Sequence, residues 1–319
     1  MRLLFLGTPE FAVPALRALI AGAGGVQCDV RAVITQPDRP AGRGQKLTAP
    51  PVKIAAQQAG TPIIQTERLR TDRAVFDLLE REKPELIVVV AFGQILPADF
   101  FCYPRLGTLN IHASLLPKYR GAAPVAHALL NGEARTGVTI MKIDAGMDTG
   151  DTLSQTEVPI DENATTGEVE GLLAVEGARL LMETIPAYVS GAIAPCPQDS
   201  RLATYAPRIK KEEGRIDWSS GARALHNRIR AFNPWPGAFS LLRGQAVKLW
   251  RSRCLDSTRL GGGSPGQVAE IGREGVTVVC GDGSAILLTE TQLPGRNRNS
   301  AFDMANGLKL KPGERLGAS

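Results

Sequence analysis

The sequence predicts an α/β domain built on a mostly parallel sheet, followed by a small β-barrel domain. Three observations carry this reading. Short apolar runs alternate with amphipathic segments through the first 189 positions, a Gly- and Pro-bearing stretch interrupts the pattern, and several short strand-like runs separated by glycine turns follow it. A length of 319 residues is about twice that of a typical single domain, which suits two domains.

Taken in order, residues 2–7 form an apolar run ending in Gly7, and apolar side chains then recur at helical spacing through Phe11, Leu16, Leu19 and Ile20. This is a strand, a turn and a helix. Further strand-like runs lie at 30–35, 62–65, 85–92 and 108–112, with a helical pattern at 72–82 between two of them. Alternation of this kind implies a parallel sheet covered on both faces. An amphipathic stretch at 166–189 closes the first domain, set at 1–189, and the segment 190–207, with Gly191, Pro195 and Pro197, reads as a linker. In the second domain, 208–319, a helical segment at 222–232 stops at Asn233-Pro234-Trp235-Pro236-Gly237, and strand-like runs follow at 246–252, 266–271, 276–280 and 285–289.

Composition narrows the function. At 43% hydrophobic and 22% charged residues the chain has ordinary globular composition, far from collagen-like or disordered sequences. The longest apolar run, 86–92, is far short of the ~20 residues that span a bilayer, and the apolar start is cut off by Pro9 and Glu10 before it reaches the ~7 residues of an export signal. A cytoplasmic protein with no membrane contact is expected. The five cysteines, 28, 102, 196, 254 and 280, form no Cys-x-x-Cys pair, so they read as buried free thiols and no metal site is expected. Charge is uneven: residues 1–190 hold 18 Lys and Arg against 21 Asp and Glu, whereas 191–319 hold 19 against 11. The basic second half suits a polyanionic partner.

In parallel sheets, ligands bind beyond the carboxyl ends of the strands. The first such loop, Gly7-Thr8-Pro9-Glu10-Phe11, lacks the Gly-x-Gly-x-x-Gly fingerprint, which disfavours a dinucleotide and with it a nicotinamide oxidoreductase. The strand 108–112 is richer in chemistry. Its period of two points Asn110 and His112 to one side and Leu109 and Ile111 to the other, bringing an amide and an imidazole together at a strand end. Such a pair suits stabilisation of an oxyanion and proton transfer, as acyl transfer requires. A glycine-rich loop at 144–151 offers three carboxylates, Asp144, Asp148 and Asp151, one of which can orient the imidazole. The other two histidines, His127 and His226, lie in helical segments and read as structural or surface residues. A third feature is the loop 36–53, which carries Arg39, Arg43, Lys46 and Lys53 against the single acid Asp38, together with four prolines and two glycines. A loop of this length in a compact domain is functional or disordered, and its cations suit phosphate.

These segments together resemble the methionyl-tRNA formyltransferase family. The likeness runs from Gly7-Thr8-Pro9 and the Gln36-to-Gly44 loop, through Asn110-x-His112-x-Ser114-Leu115-Leu116-Pro117-x-Tyr119-Arg120-Gly121 and Gly137 to Asp151. It continues in Thr204-Tyr205-Ala206, Ile216-Asp217-Trp218 and Ile229 to Pro236, so it covers essentially the whole chain. The resemblance implies a Rossmann-like catalytic domain with an OB-like barrel, and transfer of the formyl group of 10-formyltetrahydrofolate to the α-amino group of methionine on initiator methionyl-tRNA. It implies catalytic roles for Asn110, His112 and Asp148, and a folate site at Phe92, Gly93, Ile95, Leu96, Ser114, Leu115, Leu116 and Pro117. It also implies tRNA contacts by Arg39, Arg43 and Lys46, with the basic second domain as a further RNA contact and no protein partner, so that a monomer is expected. The nearest rival keeps the chemistry but formylates an amino sugar nucleotide; the arginine-bearing loop and the basic second half favour tRNA. A catalytically silent RNA-binding protein is a rival of another class, and for it the Asn110, His112, Asp148 set should be broken, whereas it is intact.

Overall fold

The computed structural model describes residues 1–22, 27–41, 44–255 and 263–317. Along the chain these form β1 (Arg2–Gly7), α1 (Val13–Ala21), β2 (Asp29–Thr35), β3 (Arg39–Ala41), β4 (Lys46–Thr48), α2 (Pro51–Gln58), β5 (Ile63–Gln65), α3 (Arg73–Glu82), β6 (Leu86–Val90), α4 (Ala98–Phe101), β7 (Thr108–His112) and β8 (Arg120–Gly121). There follow α5 (Pro124–Leu130), β9 (Arg135–Lys142), β10 (Thr152–Pro159), α6 (Thr166–Val189), β11 (Tyr205–Ala206), α7 (Ala222–Ala231), β12 (Ala238–Leu242), β13 (Gln245–Cys254), β14 (Val268–Gly272), β15 (Gly275–Val279), β16 (Ala285–Gln292), β17 (Asn299–Ser300) and α8 (Ala301–Leu308). Two compact units result: Met1–Gly121 with Arg135–Pro159 and Glu170–Ala206, and Ala122–Ala134 with Ile160–Val169 and Pro207–Ser319.

The first unit is organised by a seven-stranded sheet in the order β10-β9-β7-β6-β1-β2-β5. Strands β7, β6, β1, β2 and β5 run parallel, and β9 and β10 add an antiparallel edge. The central strands are apolar on both faces because both faces are covered: every residue of β6 is buried, as are Leu3 to Gly7 of β1. Helix α3 shows how the local sequence supports this. Asp72 caps it by accepting the Ala74 N–H at 3.1 Å, and Val75, Leu78 and Leu79, at helical spacing, are buried in the core. Each such side chain contributes about 1.5–3 kcal/mol of burial. The chain leaves β1 toward β2 on one side and returns to β6 on the other, so the switch point of the sheet falls between β1 and β6.

Two stretches differ from their sequence pattern. The loop 36–53 contains the ribbon β3–β4, with Arg39 opposite Thr48 and Pro40 opposite Leu47, turned by the positive φ of Gly44 and Gln45. Pro40 is tolerated because a two-stranded ribbon leaves a free edge. Of the segment 190–207, residues 190–206 form a strap on the first unit. Cys196 bridges to Thr152, and Tyr205–Ala206 pair in parallel with Arg120–Gly121. Its prolines break regular structure without releasing the chain.

The second unit is an antiparallel sheet in the order β12-β13-β16-β15-β14, with β17 on β16. Its two edges are joined by the segment 313–317, which bridges Leu316 to Leu242 and Arg315 to Gln267. The Leu316 N–H donates to Gly266 O at 2.8 Å and the Gly317 N–H to Leu241 O at 2.7 Å, so the open sheet becomes a closed barrel without a bare edge. Its core includes Trp218, Leu225, Ile229, Leu249, Val278 and Leu288. All five cysteines are free, but only Cys28 and Cys280 are buried. Cys102, just past α4, and Cys196, on the strap, are exposed, which corrects the expectation of five buried thiols. Burial, with Asp282 nearby, pushes the Cys280 thiol up to about 12.

Candidate active site

The site forms where the parallel strands end. Strand β7 pairs with β6 through Asn110 opposite Val89, and with β9 through His112 opposite Thr139. Pleating buries Leu109 and Ile111 on one side and turns Asn110 and His112 to the other. Asn110 is half-buried, and its carboxamide has no hydrogen-bond partner among the described residues. His112 is 6% exposed.

Both ring nitrogens of His112 face oxygen. Nε2 lies 2.9 Å from the carbonyl of Tyr119, and Nδ1 lies 3.6 Å from Oδ2 of Asp148. A carbonyl only accepts, so Nε2 carries a hydrogen. In the neutral ring, Nδ1 then meets the carboxylate as a lone pair; in the imidazolium it meets it as a second N–H. Only the second pairing is attractive.

The loop after β9 sets the carboxylate. Asp144 turns back on its own segment, accepting the Gly146 N–H at 3.0 Å and the Thr149 hydroxyl at 2.8 Å. Gly150 packs so tightly that a Cβ would lie 1.9 Å from the Lys142 carbonyl oxygen. Asp148, between them, takes φ of +54° and accepts the Gly121 N–H on Oδ2 at 2.8 Å. Gly121 itself needs to be glycine, with φ of +119° and the Ala206 carbonyl 2.7 Å from where a Cβ would sit. Ala91 and Tyr119, also at strand or turn ends here, have φ of +47° and +60°. Left-handed non-glycine residues cost of order 1–3 kcal/mol each, and such strain concentrates where function holds it.

Two contributors escaped the sequence reading. Gln198, on the strap, donates Nε2 to the carbonyls of Asp148 at 2.9 Å and Gly150 at 2.7 Å. Its Oε1 accepts from Nε and Nη2 of Arg120 at 3.0 and 2.8 Å, and Arg120 is 3% exposed. A polar residue in a proline-interrupted stretch carries no local signal for such a role.

The segment Ser114 to Pro117 follows His112 directly and is braced throughout. The Ser114 hydroxyl donates to Lys118 O at 2.6 Å, Thr139 Oγ1 donates to Ser114 O at 2.6 Å and accepts the Leu116 N–H at 3.1 Å, and Gln155 Nε2 donates to Leu116 O at 2.7 Å. Leu115 and Pro117 are half-buried, and the Leu116–Pro117 peptide is cis. The loop leaving β6 departs from the same carboxyl end of the sheet. Phe92 and Leu96 sit in the core, the Phe92 carbonyl accepts from Thr8 Oγ1 and Gln36 Nε2, and Ile95 stands 88% exposed. Gly93 has φ of +79° against the Gln36 side chain.

Arg39 and Lys46 are exposed on the ribbon, without ion-pair partners among the described residues; Arg43 lies outside the described residues. The base of the ribbon is pinned. Lys53 Nζ reaches Asp38 at 2.8 Å and Gln65 Nε2 donates to the same carboxylate at 2.8 Å; the Lys53 ammonium, then Gln65, holds the Asp38 carboxyl below its ordinary range. In the second unit, the Arg298 guanidinium lies 3.7 Å and the Lys248 ammonium 5.0 Å from the Trp250 ring centroid. His226 is buried and structural: Nδ1 meets Ser252 Oγ and Nε2 meets Glu162 O, both at 3.0 Å, and burial lowers its pKa. His127 meets the Pro207 carbonyl at 3.0 Å. No group of His, Cys, Asp and Glu among the described residues could hold a metal ion.

A Rossmann-like sheet with an amide, an imidazole and a carboxylate gathered at its open end, followed by a closed barrel, matches known proteins closely. The formyl transferase profile covers residues 1–185 and the formyl transferase C-terminal domain profile residues 208–309, and the chain belongs to this family. The methionyl-tRNA formyltransferase of Geobacter sulfurreducens is 46% identical over 317 residues, covering 99% of this chain and 97% of that protein. The methionyl-tRNA formyltransferase of Bacillus subtilis is 43% identical over 318 residues, covering 100% and 98%. Among solved structures, an N-formyltransferase from Helicobacter canadensis in complex with folinic acid and dTDP-3-aminofucose shares the fold, with a TM-score of 0.65 at 22% identity over 90% of this chain and 98% of that one.

Proposed function

We propose that this chain transfers the formyl group of 10-formyltetrahydrofolate to the α-amino group of methionine on initiator methionyl-tRNA. The observation that carries the reading is the Asn110, His112 and Asp148 set at the open end of the sheet, in a chain 46% identical along its length to a methionyl-tRNA formyltransferase. In this reading the neutral amine attacks the formyl carbon. A carbon–nitrogen bond forms, and the formyl oxygen gains charge as the carbon becomes tetrahedral. The unpartnered amide of Asn110 donates to that charge, and His112, held between Tyr119 O and Asp148, supports it through the positive charge of its imidazolium form. Asp148 holds the imidazole in register and assists as the amine proton passes to the folate nitrogen, whose bond to carbon then breaks. The formyl donor's site would be formed by Phe92, Gly93, Ile95 and Leu96 from one loop and Ser114 to Pro117 from the next. The folinic acid bound by the Helicobacter protein agrees with a folate donor.

The acceptor RNA would be held by Arg39 and Lys46 on the ribbon, by Arg43, and by the barrel. Arg298 and Lys248, which lie over the buried Trp250 ring, and Arg296, exposed on the same loop as Arg298, give that domain cations suited to phosphate. The sequence of 191–319, with 19 basic residues against 11 acidic, supports the same partner. The decisive test offers the purified protein 10-formyltetrahydrofolate with charged initiator tRNA in one reaction and an amino sugar nucleotide in another, and reads formylated product by mass spectrometry. Formylmethionine on tRNA alone is expected. Product only with the sugar nucleotide would overturn the acceptor, and none in either would overturn the chemistry.

A further inference from the structure

We propose that Gln198 is a positioning residue, locked by Arg120, that fixes the Asp148 carboxylate opposite His112. The proposal rests on the catalytic reading of Asp148 above. Asp148 has a φ of +54° in a tight loop, and its orientation is set by the hydrogen bonds around it. Two hydrogen bonds do so, Gly121 N–H to Oδ2 and Gln198 Nε2 to the Asp148 main-chain oxygen, and a third, from Gln198 Nε2 to Gly150 O, holds the loop two residues on.

The direction of the Gln198 amide is set from behind. An arginine side chain donates and never accepts, so the fork of Arg120 Nε and Nη2 admits only the carboxamide oxygen. The amide nitrogen is thereby forced toward the two carbonyls of the aspartate loop. Arg120 is nearly inaccessible and makes no ion pair with a carboxylate among the described residues. Its charge is spent on orienting a neutral amide. Arg120 also precedes Gly121, and its own N–H donates to Thr204 O at 2.8 Å, so one dipeptide grips Asp148 directly, through Gln198, and through the strap that carries Gln198. The ionisable group facing His112 is Asp148. A carboxylate displaced by about 1 Å would leave the imidazole unoriented, and misplacements of this size cost ~100-fold in rate.

The test compares Gln198→Glu, Gln198→Met, Arg120→Lys and Asp148→Asn in the full chain. Gln198→Glu keeps an acceptor for Arg120 but turns oxygen instead of N–H toward the two carbonyls, and Gln198→Met removes both ends. For both we expect kcat for formyl transfer to fall about 10- to 100-fold, with KM for the formyl donor within about twofold. Arg120→Lys, which keeps the charge but not the fork, should fall less. The imidazole nitrogen resonances report the surroundings of His112 independently of turnover, and with three histidines in the chain they are assigned by comparison with His112→Ala. In Gln198→Glu they should move toward those of Asp148→Asn. A lowered melting temperature with kcat and the His112 resonances unchanged would overturn the proposal, leaving the pair a staple for the strap. Full turnover in Asp148→Asn would instead overturn the reading of the reaction, while the His112 resonances in Gln198→Glu would still report whether the clamp holds.

Discussion

The corner around His112 and the ribbon at 39–48 both extend from the carboxyl end of the sheet, and they are built in opposite ways. In the corner, His112 is 6% exposed, Asp148 is held by two hydrogen bonds with a third on Gly150 of the same loop, and Arg120 is buried behind them. On the ribbon, Arg39, Lys46, Leu47 and Thr48 are all exposed, and the base is tied by Lys53 and Gln65 to Asp38. The difference suits the roles proposed for each. Stabilising charge that appears only during reaction requires dipoles fixed beforehand in a poorly solvated place. Gathering a polyanion requires charge that reaches into solvent, where attraction acts at a distance and is screened by salt.

The largest effects should come from breaking the corner. His112→Ala is expected to lower kcat/KM for formyl transfer by ~10³–10⁴ while leaving tRNA binding in an electrophoretic shift assay nearly intact. Turnover near the wild-type rate would end the assignment. Asn110→Ala, which removes one donor to the oxyanion and leaves the imidazole pair in place, should cost ~10²–10³ in kcat. An effect confined to KM would make Asn110 a binding residue.

Breaking the ribbon should act on the other parameter. Arg39→Ala with Lys46→Ala is expected to weaken tRNA binding several-fold and to reduce the slope of log affinity against log salt by about 0.7–0.9 for each phosphate no longer neutralised, with affinity for the formyl donor unchanged. Arg43→Ala should behave alike. Loss of donor affinity in either would move the ribbon from the RNA to the folate site. The smallest effect concerns the base of the ribbon. Because Lys53 and Gln65 hold the Asp38 carboxyl below its ordinary value of 3.8, the stabilisation they give is present above that value and is lost as pH falls through the lower folded value. Lys53→Met should remove this portion of the acid limb in thermal melts; an unchanged limb would show that the pair contributes nothing measurable.

Much of the molecule was legible in the sequence because it is written in local periods. The period of two in 108–112 placed Asn110 and His112 on one side, and β7 spans those residues. The helical period at 166–189 matches α6, and the basic composition of the second half needs no structure at all. Strand β10 was missed because its residues are mostly polar and partly exposed at the sheet edge, where the apolar alternation that marks a strand is weak. The ribbon was missed because Pro40 masks pairing that only a free edge permits.

By itself, then, the sequence determined the alternation of elements, the amide and imidazole at one strand end, the cationic loop and the sign of charge on the second half. Residues alone left three aspartates open for His112, and the resemblance pointed to Asp148. The tertiary structure brings Asp148 to the ring, turns Asp144 back on its own loop, recruits Gln198 from 50 residues away and Arg120 from behind it, and closes the barrel with residues 315 and 316. The physical reason is range. Backbone geometry imposes its periods on neighbours a few residues apart, whereas a hydrogen bond between distant residues exists only once the chain has folded to place a donor and an acceptor within about 3 Å.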